Sequence, residues 1–267
     1  MFRVRTASPG ESVARSVEPP VSWAVPGHTL VILSDAHVGA APPAVERALL
    51  AFLDAVPSLG DCLLLNGDMF QFWFAYRQVI PRRAFPVAAR IAAVARALPV
   101  MIVGGNHDRW GDDFWGEQPG IRYHPRALRF EAAGRSVHAV HGDGMPPRPG
   151  FRAGLQRVVN HPLTSLAYRW VHPDLGVRLA NGAGPLLGGP PAGPAERAAR
   201  AAAQRQWAER QLLDDPSADL LVMGHTHAPA LVETALNRTY LNPGAWIDGL
   251  RYATVTGPEA ELRSFLP

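Results

Sequence analysis

The sequence contains no lysine; all 26 basic side chains are arginine. Against 23 acidic groups they leave a formal charge of only +3, and they are scattered along the chain. That distribution lacks the basic stripe of a nucleic-acid binder, so no nucleic-acid partner is expected. Biased codon usage is the plain explanation for the missing lysines, although guanidinium groups also suit bidentate phosphate contacts. Cysteine is almost as scarce. Cys62 stands alone, which excludes an internal disulfide framework. Its place in Cys62-Leu63-Leu64-Leu65 predicts a small buried hydrophobe. No apolar run is long enough to cross a bilayer, and Met1-Phe2-Arg3-Val4-Arg5 is not followed by the apolar block of a signal peptide. With 47% hydrophobic and 18% charged residues, the expectation is a globular, cytoplasmic protein of one or two domains.

What is present is a series of apolar runs that alternate with helical patterns. Residues 1–27 are rich in Pro, Ser and charge and read as an extended N-terminal arm, ahead of a main domain over 28–267. Buried strands are predicted at Thr29–Leu33, Cys62–Leu65, Val100–Val103 and Leu220–Met223. Shorter ones follow at Leu128–Glu131, Ser136–Val140, Leu231–Thr234, Thr239–Leu241, Arg251–Val255 and Leu262–Phe265. Val45, Leu49, Phe52, Leu53 and Val56 fall at helical spacing after Pro42-Pro43. A second helix is predicted from about Pro86 to Leu98, and a third over the Ala- and Arg-rich Ala195–Leu213. Between them, about 146–194 reads as a helical insertion that ends in a Gly/Pro-rich linker, and the aromatic run Met69–Arg77 reads as neither strand nor helix. The expected class is α/β, a layered core with a helical cap.

The strands share an ending. Asp35 and His37 follow the first, Asp68 the second, Asn106, His107 and Asp108 the third, His141 another, and His225 and His227 the last. In α/β sheets, ligand sites gather at the carboxyl ends of strands, so these five loops should converge. Taken one at a time, Asn66-Gly67-Asp68 is an ordinary tight turn and His141 a core histidine; taken together, coincidence is a poor explanation. The set mixes carboxylate, imidazole and one amide oxygen, which suits Mn, Fe or Zn better than Ca. There are too many donors for one tetrahedral ion and about enough for two ions sharing a carboxylate. Such pairs activate water for in-line attack at phosphorus.

Asp35-x-His37, Gly67-Asp68, Gly105-Asn106-His107-Asp108, His141-Gly142 and Gly224-His225-x-His227 resemble the motif series of the calcineurin-like metallophosphoesterases. The resemblance implies a four-layer αββα sandwich with two divalent ions, Mn first, with Fe or Zn as alternatives. By position, Asp35, His37 and His227 would hold one ion, Asn106, His141 and His225 the other, and Asp68 would bridge them. His107 would protonate the leaving oxygen or stabilise the charge on phosphorus, with Asp108 orienting it. The segments between the motifs resemble the UDP-2,3-diacylglucosamine hydrolase subgroup, which in lipid A synthesis cleaves a lipid-linked sugar nucleotide to UMP and 2,3-diacylglucosamine 1-phosphate. Better-known members of that subgroup carry arginine where this chain has His107. Such a substrate implies peripheral contact with the cytoplasmic face of the inner membrane, an apolar groove formed by Phe151, Leu155, Val158, Leu166 and Trp170, and pyrophosphate contacts from Arg77, Arg109 and Arg152. Two other readings stay open: a soluble phosphodiesterase or phosphatase acting on nucleotides or phosphoproteins, and a non-catalytic scaffold.

Overall fold

The computed structural model describes residues 24–74, 76, 78–146, 154, 158, 161–179 and 193–267. Arg77, Arg152, Phe151, Leu155, most of the N-terminal arm and most of the Gly/Pro-rich linker lie outside the described residues. The elements run β1 (Thr29–Leu33), α1 (Pro43–Leu59), β2 (Cys62–Asn66), α2 (Phe85–Val94), β3 (Val100–Val103), α3 (Asp112–Trp115) and β4 (Ile121–His124). They continue with β5 (Ala127–Ala132), β6 (Arg135–Val140), α4 (Pro162–Tyr168), α5 (Pro194–Asp214) and β7 (Leu220–Val222). The last four are β8 (Ala230–Glu233), β9 (Thr239–Asn242), β10 (Arg251–Thr256) and β11 (Glu259–Ser264).

Two sheets form, in the orders β11-β10-β1-β2-β3-β4 and β5-β6-β7-β9-β8. Alternation along each strand sorts the side chains into layers. Leu30, Ile32, Leu64, Met101 and Val103 face the other sheet and meet Phe130, Val137, Ala139, Leu220, Val222 and Leu241. Val31, Leu33, Leu63, Leu65, Val100 and Ile102 point outward and bury Leu49, Phe52 and Leu53 of α1 with Val87 and Ile91 of α2. On the far side, Val140, Leu221 and Tyr240 pack against Ala208 and Leu212 of α5. The order is therefore helices, sheet, sheet, helix: the αββα sandwich expected above.

Most expected elements appear with shifts of a residue or two. The second helix stops at Val94, and residues 95–97 tighten into turns because Pro99 pushes Leu98 out of the helical region. β4 was not expected: Ile121-Arg122-Tyr123-His124 is a half-buried strand at the sheet edge with no apolar run. The described end of the arm is tied down, since Val25 is buried and its N–H donates to the Glu131 carbonyl at 2.8 Å. Cys62 is buried as expected, and that burial pushes its thiol up to about 12.

One polar cluster fixes the end of α5 to the second sheet. Arg129 donates to Asp215 at 2.5 Å, to Ser217 at 2.7 Å and to Nδ1 of His138 at 3.2 Å. Accepting from a guanidinium requires a neutral ring, and burial plus the Arg129 charge push His138 down to about 4. The unfolded chain therefore takes up this proton first, near pH 6.5, so stability from His138 is lost as pH falls from about 6.5 to 4. Urea midpoints at pH 7 and pH 5 should reveal a loss of order 1–2 kcal/mol, and His138→Gln should remove most of it.

Candidate dinuclear metal centre

β1, β2 and β3 pair in parallel, as do β6 and β7, so their carboxyl ends lie at one edge of the sandwich. The sheets are joined there: the Asn66 side-chain amide donates to the Val140 carbonyl at 3.0 Å, and the His225 N–H donates to Oδ2 of Asp35 at 3.1 Å. Five loops thus deliver their side chains to one place. Asp35, His37 and His227 bring donor atoms within 4.8 Å of one another, and so do Asp68, His141 and His225. His37, Asp68 and His107 form a third such group, which links the other two.

The spacing fits ions. Oδ1 of Asp35 lies 3.4 Å from Nε2 of His227, which lies 3.3 Å from Nε2 of His37. Nε2 of His141 is 3.2 Å from Oδ2 of Asp68. A tetrahedral or octahedral shell with bonds of about 2.1 Å separates neighbouring donors by about 3.0–3.4 Å. Oδ1 of Asp35, Oδ1 of Asn106 and Nε2 of His141 are buried with no hydrogen-bond partner. Buried polar atoms are rarely left so; here, three from separate loops are left bare in one site. The donor set fits a pair of divalent cations.

The far sides of Asp35, His37, His141 and His227 are held. Ser34 and the His225 N–H both donate to Oδ2 of Asp35, at 2.5 and 3.1 Å. Each described ring contact leaves Nε2 inward: Nδ1 of His141 bonds to the Asn66 carbonyl at 2.9 Å, that of His37 to Oε1 of Gln71 at 3.1 Å and that of His227 to Asp248 at 2.6 Å. Gly105 is required, because Asp68 occupies the space where a Cβ would lie. Eight described non-glycine residues have positive φ, and five of them are Asp35, His37, Asp68, His225 and His227. Such strain costs of order 1–3 kcal/mol per residue and gathers where function requires a geometry.

Electrostatics point the same way. Burial, the largest influence, would raise Asp35 and Asp68, but the surrounding histidines together outweigh it, His141 first, with His227 at Asp35 and with His107 and His37 at Asp68, and both are held below the usual carboxylate range. In return, despite burial, the two carboxylates raise His141 well above the ordinary imidazole value. His227 is pushed up to about 9: burial opposes this, but Asp35 and Asp248 prevail. Two carboxylates in one dry site demand positive charge, and protonated imidazoles supply it until a cation does.

One sequence expectation needs correcting. Asp108 does not hold the His107 ring. Its carboxylate accepts four backbone N–H groups, those of Asp68, Met69, Phe70 and Gly105, and so ties two ligand loops together. Burial and the nearby Asp68 charge raise it to about 6. The His107 ring is instead fixed by the Gln71 carbonyl, 3.0 Å from Nδ1. Arg109 pairs with Asp143, and its Nε donates to the Gly105 carbonyl at 3.1 Å. Trp170 is 88% exposed. The aromatic run after Asp68 is largely core: Phe70 and Trp73 are buried against Trp115. Gln71 and Asp248 were missed altogether. For Asp248→Ala, a loss of metal affinity of about 10–100-fold is expected, read by Mn²⁺ titration with the fold checked by circular dichroism.

The family model for the calcineurin-like phosphoesterases matches residues 28–229. Among curated relatives, UDP-2,3-diacylglucosamine hydrolase of Porphyromonas gingivalis is 29% identical over 254 residues, covering 86% of this chain and 95% of that one. The enzyme of that name from Pectobacterium carotovorum is 22% identical over 249 residues, covering 88% and 98%. Among solved structures, the E. coli phosphoesterase Yfce is 18% identical with a TM-score of 0.40, covering 85% of this chain and 87% of that one. A match that spans all five ligand loops, on a sandwich whose strand ends bring those loops together, makes this chain a member of the calcineurin-like phosphoesterase family and a metal-dependent hydrolase.

Proposed function

We propose that this chain hydrolyses the pyrophosphate of UDP-2,3-diacylglucosamine, releasing UMP and 2,3-diacylglucosamine 1-phosphate. The observation that carries this reading is the full-length match to a relative of that name, 29% identical and spanning 95% of its length. A second feature agrees with it. Val158, Leu163, Leu166, Trp170, Leu175 and Leu179, all on the insertion, are exposed apolar side chains. An acylated substrate and the cytoplasmic face of the inner membrane both suit such a surface.

In this reading Asp35, His37 and His227 would hold one ion, Asn106, His141 and His225 the other, and Asp68 would serve both. The ions, Mn or else Fe or Zn, supply polarisation of a phosphoryl oxygen and acidify water. The protein's own residues do the rest. Because Nδ1 of His107 donates to the Gln71 carbonyl, the ring has a fixed tautomer, and Nε2 is the atom that handles a proton. Protonated, it donates to the oxygen that leaves the α-phosphorus as the P–O bond breaks. Asp108 keeps the Asp68 and Gly105 loops in register so that Nε2 of His107 and the carboxylate of Asp68 face the same space.

The test is turnover of purified protein with Mn²⁺ on UDP-2,3-diacylglucosamine beside UDP-N-acetylglucosamine. The acylated substrate should be favoured by at least about 10²-fold in kcat/KM, since burial of only three methylenes is worth about that much. Equal rates, or activity on the soluble nucleotide alone, would reject the lipid substrate in favour of a soluble phosphodiesterase.

A further inference from the structure

The inward stripe of α5 is Gln204, Ala208 and Leu212, spaced i, i+4, i+8. Two of these are apolar, as a helix packed on a sheet requires. The first is a glutamine with no solvent exposure at all. Its Nε2 donates to the Gly224 carbonyl at 3.2 Å, while its Oε1 has no hydrogen-bond partner among the described residues. For stability alone, Leu or Met would serve better at this position, because an unmatched buried acceptor costs about 1–3 kcal/mol.

The location of the amide accounts for it. Gly224 immediately precedes His225, and its carbonyl also accepts from the Asn242 side chain at 3.0 Å. On its other side Gln204 lies against Gly142, the residue after His141, where a Cβ would collide with its Nε2. One side chain from the outer helical layer therefore touches the loops that present both His141 and His225. These rings sit edge to face, 5.3 Å between centroids. Asp35, His37 and His227 have side-chain supports of their own in Ser34, Gln71 and Asp248, and the His141 ring is aimed by the Asn66 carbonyl, whereas no hydrogen bond among the described residues holds the His225 ring.

We propose that Gln204 is a positioning residue that sets the spacing of His141 and His225, and so controls the ion held there independently of its neighbour. This rests on the dinuclear reading above. The test is a Mn²⁺ titration of the full chain, with free Mn²⁺ counted by electron paramagnetic resonance and the spin-coupled signal of the pair recorded. Wild type is expected to bind two ions. Gln204→Met, which keeps the length but removes the donor, should bind the first as tightly, bind the second about 10–100-fold more weakly, and lose the coupled signal. Gln204→Ala leaves room for a water to replace the amide and should give an intermediate loss. Two ions bound by Gln204→Met as in wild type would overturn the inference alone. Equal weakening of both ions, or failure of both variants to fold, would overturn it in favour of a purely structural role. Fewer than two ions in wild type would overturn the dinuclear reading and this one with it.

Discussion

Asp68→Asn is expected to lower kcat/KM by at least about 10³-fold and to leave the purified protein with less than its full complement of metal. Asp68 belongs to two of the three donor groups, with His37 and His107 on one side and with His141 and His225 on the other. No other residue is in both. Asparagine retains the oxygen that accepts the His107 N–H, at 2.9 Å in the native chain, so the loop need not collapse. What it removes is the charge. Without it, His141 loses the carboxylate that holds it protonated, and the proposed metal pair would lose its shared ligand. Elemental analysis after desalting, beside the rate, separates this effect from misfolding. Native metal content with native turnover would contradict a bridging role.

The second large effect is expected at His107. His107→Ala should lower kcat by about 10²–10⁴-fold while metal content stays at the wild-type level. The ring is partly buried, packs edge-on against His37 at 5.1 Å, and is aimed by a backbone carbonyl and not by a ligand. Its loss therefore removes a proton donor and leaves the other ligands as they were. Unchanged turnover would end its assignment as the group serving the leaving oxygen. A parallel loss of metal would make it a ligand instead.

Much of this was legible in the chain itself. The strands β1, β2 and β3 are continuous apolar runs because both faces of the sheet are covered, one by the second sheet and one by α1 and α2. Such runs show plainly in any sequence, and the polar residues that end them show just as plainly. β4 did not, and β11 showed only in its second half, because edge strands face water and carry arginine, histidine and glutamate like any loop.

The sequence by itself therefore determined a layered α/β core, the five loops and the chemical types of their donors, because these follow from local patterns of burial and from residues adjacent in the chain; the αββα order came from the family resemblance. The tertiary structure decided what supports those donors. Asp248 reaches His227 from 21 residues away, and Gln71 reaches His37 from 34. Gln204, on a helix in the outermost layer, meets a carbonyl 20 residues on, beside a glycine more than sixty residues before it. It also decided that Asp108 secures backbone and not the His107 ring, and that Arg109 is held by Asp143. Polar side chains such as these look like surface residues in a sequence. Only the packing of layers, which brings distant loops within hydrogen-bonding distance, separates the few that hold the site from the many that face water.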